Sequence, residues 1–237
     1  MTTTNTRVVF AKRPTGEATP DCFAVETQQL DDLQDGMVRV AVEYISVDAA
    51  IRTMLKGEGF HAQVGLGDTI LAGGVGRVIE STAEDWEVGQ AVRGGLGAQT
   101  VATVEPGLLE AIDDSIAPLS AYLGLLSGST GMTAWIGMRE VAKPKAGDVF
   151  VVSAAAGAVG SVAGQIAKLD GATVIGIAGG QRKTDYLTNE LGFDAAIDYK
   201  SEDVNARLRE LAPDGVNVFF DNVGGPILDA VLDNIAM

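Results

Sequence analysis

The stretch Val149-Phe-Val-Val-Ser-Ala-Ala-Ala-Gly-Ala-Val-Gly160, continuing Ser-Val-Ala-Gly-Gln-Ile-Ala-Lys, holds the residues best suited to handle a phosphate. Set beside the pattern Gly-x-Gly-x-x-Gly it supplies Ala155, Gly157 and Gly160, with alanine replacing the first glycine. Gly157 lets backbone approach a pyrophosphate. Gly160, with Gly164 and Ala167 on the same helical face, lets the following helix lie close to a sheet and aim its amino end at the phosphates. The helix dipole adds local positive potential there. Such a turn also serves as a plain strand-to-helix connection with no ligand. The strand before it and the helix after it supply the context that dinucleotide binding requires.

A site for NAD places an acid about 20 residues further on, at the end of the second strand, where it binds the ribose 2′-hydroxyl. Nineteen residues after Gly160 the chain reads Gly179-Gly180-Gln181-Arg182-Lys183, with no acid. Two glycines leave room and two cations follow, which suits a 2′-phosphate and so NADP. The alternative is that Arg182 and Lys183 are ordinary solvated residues at a helix start. A methyltransferase also has a glycine-rich first turn, but Ser153 and Gly179 stand where it would usually carry acids.

These residues need elements to position them. After Lys143-Pro-Lys-Ala-Gly-Asp148 the pattern predicts strands at Val149–Ser153, Thr173–Ala178, Ala195–Tyr199 and Val216–Asp221. Helices are expected at Met132–Val141, Ser161–Leu169, Arg182–Leu191, Glu202–Leu211 and from about Pro226. Strand and helix alternating at that spacing predict a parallel, doubly wound (Rossmann) sheet. Only four strands are visible before Met237, one half of such a sheet and the start of the other, so the expectation is an incomplete domain, the alternative being a fold that closes in an unusual way. Residues 1–125 differ in texture. Short β-branched runs broken by glycine lie at Val38–Tyr44, Ile70–Leu71, Val75–Glu80, Ala91–Arg93 and Gln99–Val104. Val38, Val40 and Val42 alternate with Arg39, Ala41 and Glu43, a strand with one buried face. The expected architecture is a partly open β-barrel over residues 1–125 followed by the Rossmann domain over 126–237.

Composition narrows the partners. The 237 residues are 46% hydrophobic and 21% charged, a globular balance, with a net charge of −15 that disfavours nucleic acid or an anionic membrane. The apolar runs Ser115–Met138 and Val149–Ala167 are long enough to test as membrane spans, but their glycines, Pro118 and hydroxyls suit buried strand, turn and helix better. The amino terminus lacks a secretory pattern. One cysteine, Cys22, and one histidine, His61, cannot supply a closed structural zinc site or an internal disulfide, and a reducing cytoplasm fits best.

From about Val38 to Met237 the chain resembles the zinc-independent medium-chain dehydrogenase/reductase superfamily, and within it the NADPH-dependent alkenal and enone reductases of the prostaglandin reductase and curcumin reductase type. The segments that carry the resemblance are Tyr44-Ile-Ser-Val-Asp48 with Arg52, Ala72-Gly-Gly-Val-Gly-Arg-Val78, Thr130-Gly-Met-Thr-Ala134, Lys143–Asp148, Ala154–Gly160, Leu191-Gly-Phe-Asp194, Asp198-Tyr-Lys200 and Phe220-Asp-Asn-Val-Gly-Gly225. The resemblance implies a GroES-like β-barrel substrate domain and a Rossmann domain with a cleft between them; family dimers commonly pair through a late strand of the nucleotide domain that is absent here, which leaves a homodimer as a candidate partner only. It implies reduction of the C=C bond of α,β-unsaturated carbonyls: hydride reaches the β carbon and a proton the α carbon, with no metal. It places Gly157, Val159 and Gly160 at the pyrophosphate; the glycine-turn pattern and the room left at the second strand's end add Ala155 and Gly179 as cofactor-binding candidates. Lys183 and Tyr199 fall at the 2′-phosphate end, Asn222 and Val223 near ribose and nicotinamide, and Thr133 near the nicotinamide. Tyr199 could instead pack on the sheet, Asn222 could cap a turn, and Thr133 could bond back along its helix.

Departures from the family pattern bear on the substrate and the metal. Ile45 and Gly73-Gly74 stand where zinc-dependent relatives carry cysteine and Gly-His-Glu. Ala49-Ala50-Ile51 replaces a Pro-Tyr-Met type segment, and Phe60 replaces a tyrosine, with His61 beside it as a candidate donor or a solvated loop residue. The family's proposed catalytic tyrosine falls beyond Met237, so no catalytic residue is assigned. NADPH-dependent quinone reduction and a truncated, non-catalytic nucleotide binder are the alternative functions.

Overall fold

The computed structural model describes residues 3–57 and 62–237. Phe60 and His61 lie outside the described residues. The chain divides into two compact units, Met1–Leu123 and Gly124–Met237.

In the first unit β1 (Thr4–Phe10) and β2 (Phe23–Gln29) form an antiparallel pair. β3 (Val38–Ile45), a short helix α1 (Ala49–Met54), β4 (Gly74–Ser81), β5 (Ala91–Gly94), β6 (Val101–Val104) and β7 (Leu109–Ala111) follow. The last five strands build an antiparallel sheet in the order β6-β3-β4-β5-β7. Bridges from Arg7 to Gln99 and from Val9 to Thr69 hook β1 onto the loops beside that sheet, which gives a partly open barrel. Val38, Val40, Val78, Val92, Leu96 and Ala102 form its core. The run Ile70–Leu71 is not a strand. Ile70 uses its backbone to bond Val8 and Ala98, and only Thr69 makes a bridge. Arg39 departs from its place in the alternation. It is only 5% exposed, paired to Glu80 at 2.5 Å and donating to the Asp31 carbonyl at 2.7 Å.

The second unit opens with α2 (Thr130–Ile136), which widens into a π-helical turn over Gly137–Ala142. Then come β8 (Val149–Val152), α3 (Ala158–Leu169), β9 (Thr173–Ala178), α4 (Gln181–Asp185) with a π turn at Tyr186–Glu190, β10 (Ala195–Asp198), α5 (Val204–Leu211), β11 (Val218–Phe220) and α6 (Gly225–Leu232). The strands are parallel in the order β10-β9-β8-β11. Period-two alternation sends Phe150 and Val152 to one face, with Ala163, Ala167 and Phe193, and Val151 to the other, with Ile175, Ile197, Leu208 and Val231. Both faces are covered, which explains the near-continuous apolar runs that marked these strands. β11 is shorter than expected, because Val216 pairs with Ile235 instead of with β8. Among the described residues no helix is long and apolar enough to cross a membrane.

Candidate dinucleotide-binding site

Chain order reverses between β8 and β11, and ligands of open parallel sheets lie at such a switch point, outside the carboxyl ends of the strands. Ser153 leaves β8 fully buried and laces the two strand ends together. Its hydroxyl donates to Asp221 Oδ1 at 2.7 Å and accepts the Asn222 N–H at 2.7 Å, while its carbonyl accepts Asn222 Nδ2 at 2.9 Å. Asp221 also accepts the N–H groups of Val223 and Gly224, each at 3.0 Å. Burial works against the charge of that carboxyl, but the Gly224 and Val223 amides and the Ser153 hydroxyl outweigh it and hold its pKa below the ordinary carboxylate value.

The turn holds a left-handed residue one position before Ala155, the residue aligned with the first glycine of the pattern. Ala154 has φ +46, and its carbonyl accepts the Gly157 N–H at 2.8 Å. Ala155 is instead buried, with its N–H donated to Ile177 at 3.0 Å. Gly157 is the residue before α3, in extended conformation, and no side chain caps the helix. The first-turn N–H groups of Ala158, Val159 and Gly160 therefore have no intrahelical carbonyl partners. A Cβ on Gly160 would lie 2.6 Å from the Ala154 carbonyl oxygen, so only glycine lets the helix start this close to the turn.

At the next strand end a Cβ on Gly179 would lie 2.8 Å from the Tyr199 ring and 2.9 Å from Lys200 Cε. That contact joins the end of β9 to the end of β10. Gly180, at φ +95, begins α4, and Arg182 and Lys183 project from it exposed, with no ion pair among the described residues. Tyr199 and Val223 line one cleft of about 590 Å³, together with Gly224, Asn205 and Pro226. The structure thus gathers Gly157, Val159, Gly160, Asn222 and Val223 at the switch point, and Gly179, Lys183 and Tyr199 at the β9–β10 end. Thr133 is not tied to either group: it is exposed on α2 and donates back to the Ser129 carbonyl, the alternative noted for it.

Ser153, Ala154, Asp198, Lys200 and Asp221 belong to these constellations, although the sequence reading assigns none of them a site role. Asp221-Asn-Val-Gly224 carries the turn signal of an Asx residue two and three positions before bonded amides, which could have identified Asp221.

Two family models match. Residues 6–112 match the N-terminal domain of oxidoreductase, and 158–236 match zinc-binding dehydrogenase. The donor set does not fit zinc. Cys22 is buried and His61 is the single histidine, and no cluster of three or more His, Cys, Asp or Glu able to hold a metal occurs among the described residues. The Bacillus subtilis protein YfmJ, whose name assigns it provisionally to the NADP-dependent oxidoreductases, is 44% identical over 98% of this chain and 69% of its own length. The NADPH-dependent curcumin reductase of Escherichia coli is 36% identical over 96% of this chain and 66% of its own length. The NADP-dependent 2-alkenal reductase of Nicotiana tabacum is 42% identical over 82% of this chain and 57% of its own. This chain therefore spans between 57% and 69% of the length of these three relatives. Among solved structures, CurA from Vibrio vulnificus in complex with NADPH superposes with a TM-score of 0.85 at 33% identity, over 97% of this chain and 68% of that one. Escherichia coli quinone oxidoreductase complexed with NADPH, at 22% identity and a TM-score of 0.71 over 97% of this chain and 70% of that one, shares the fold. With these relatives and this site, the chain belongs to the NADP-dependent, zinc-independent medium-chain dehydrogenase/reductase family that includes the alkenal and curcumin reductases.

Proposed function

We propose that the protein is an NADPH-dependent reductase of the C=C bond in α,β-unsaturated carbonyl compounds. The observation that carries this reading is the uncapped amino end of α3, opened by Gly157 and kept close by Gly160, at the switch point of the parallel sheet. The amides of Ala158, Val159 and Gly160 hold the pyrophosphate, with Ala155 locking the turn beneath them. Gly179 leaves room for the adenosine end, and Lys183 and Tyr199 hold the 2′-phosphate. Asn222 and Val223 line the path toward the nicotinamide, and Thr133 stands near its end. The bound cofactor supplies the hydride. The protein orients it and the substrate, and the barrel unit over residues 1–125 takes the substrate while 126–237 hold the cofactor. The same reading makes the protein a cytoplasmic homodimer acting on a small enone or alkenal, without nucleic acid or membrane.

The relatives named for alkenal and curcumin reduction favour a C=C acceptor over a quinone, since the quinone oxidoreductase shares only the fold. The test mixes the protein with NADPH and a simple enone and follows the loss of reduced-nicotinamide absorbance, with a quinone in parallel. Turnover faster with the enone supports the reading. Cofactor oxidation no faster than background rejects catalysis by this chain, and faster turnover with the quinone reassigns the acceptor.

A further inference from the structure

The acid that an NAD site carries at the end of its second strand is missing from β9, yet one reaches the same place from β10. Asp198 Oδ1 accepts the Gly180 N–H at 2.7 Å and the Lys200 N–H at 3.0 Å, and Oδ2 accepts the Ser201 hydroxyl at 2.9 Å. Its own N–H donates to Glu202 at 2.7 Å, and the next residue, Tyr199, donates its N–H to Ala178 at 3.1 Å. Gly180, in turn, receives the Lys183 N–H on its carbonyl at 2.9 Å. One carboxylate thus links the turn that bears Arg182 and Lys183 to the turn that bears Tyr199 and Lys200.

We infer that Asp198 is the positioning residue for 2′-phosphate selection: by clamping Gly180 to the end of β10 it fixes both turns around the phosphate. This inference rests on the NADPH reading. A carboxylate in this place would by itself repel a phosphate. Here its oxygens are occupied by two amides and a hydroxyl, so repulsion and turn geometry act with opposite signs. If Asp198 were a bystander charge, Asp198→Ala would tighten NADPH. If it positions the turns, the same change weakens NADPH.

The experiment measures the dissociation constants of NADPH and NADH by calorimetry for the intact chain and for Asp198→Ala, Asp198→Asn, Asp198→Glu and Lys183→Ala. Asp198→Ala is expected to weaken NADPH about tenfold, the scale of one charge-assisted hydrogen bond, and NADH by less than about twofold. Asp198→Asn keeps the amide acceptor without the charge and binds NADPH at least as well as the parent. Asp198→Glu keeps the charge but displaces the acceptor, and weakens NADPH like Asp198→Ala, so the outcome does not depend on one variant folding. Unchanged or tighter NADPH in both Asp198→Ala and Asp198→Glu, parallel weakening of both cofactors, or an Asp198→Asn as poor as Asp198→Ala overturns the inference. A parent protein without NADPH preference, or a Lys183→Ala that keeps it in full, overturns the cofactor reading and the inference with it.

Discussion

Ala154 bears the backbone strain of the site. It and Lys143 are the non-glycine residues with positive φ among those described, both at +46. A left-handed L-residue costs about 1–2 kcal/mol. Replacing it by glycine removes that cost but adds about 0.4–1 kcal/mol of unfolded-state freedom. Ala154→Gly is therefore expected to raise unfolding stability by up to about 1.5 kcal/mol in urea titrations; a clear loss of stability would show that the turn stores no strain. Gly160 and Gly179 were legible from sequence because a glycine announces a steric demand. Ala154 was not, because an alanine held left-handed looks like any other alanine. Arg39 was misread for a related reason: its partners, the Asp31 carbonyl and Glu80, are distant in sequence and convert an outward position into a buried one.

The ends of the parallel strands are held by carboxylates whose pKa values lie below the ordinary 3.8. The Gly180 and Lys200 amides lower that of Asp198, and burial opposes them. At Asp194 and Asp221 burial is the largest influence and raises the pKa, but Lys168 and the Val174 amide at the first, and the Gly224 and Val223 amides at the second, outweigh it. A carboxyl lowered on folding contributes stability above its unfolded pKa and loses it as pH falls through the folded value. The urea midpoint is expected to drop as pH falls from about 5 to about 2, and Asp221→Asn to flatten that drop; an unchanged slope in the variant would remove Asp221 from the account. β8 and β9 were legible because both their faces are buried and their apolar runs are nearly unbroken, whereas edge strand β10 buries only Ile197. The β1–β2 pair was not, because Val25 is 73% exposed and Thr4-Asn-Thr-Arg carries little apolar signal. α3 begins three residues before the expected Ser161, at the uncapped turn itself, so the helix start is set by Gly157 and not by the apolar pattern.

Across the whole molecule a charge of −15 opposes the approach of a polyanionic cofactor, while Arg182 and Lys183 act only nearby. Salt screens the distant repulsion first, since the Debye length shrinks from about 30 Å at 0.01 M to about 8 Å at 0.15 M. The association rate of NADPH in stopped flow is expected to rise over that range; a falling rate would mean that the local cations dominate the field at long range. The parallel, doubly wound character of the second unit was legible because strand and helix alternate at crossover spacing. The attachment of β1 to the barrel was not, because it runs through isolated bridges at Gln99 and Thr69 that leave no periodic trace.

The most direct measurement is a crystal structure of this chain soaked with NADPH. The diphosphate oxygens are expected about 3 Å from the N–H groups of Ala158, Val159 and Gly160. A nucleotide bound elsewhere, or side chains filling the space before α3, would contradict the account.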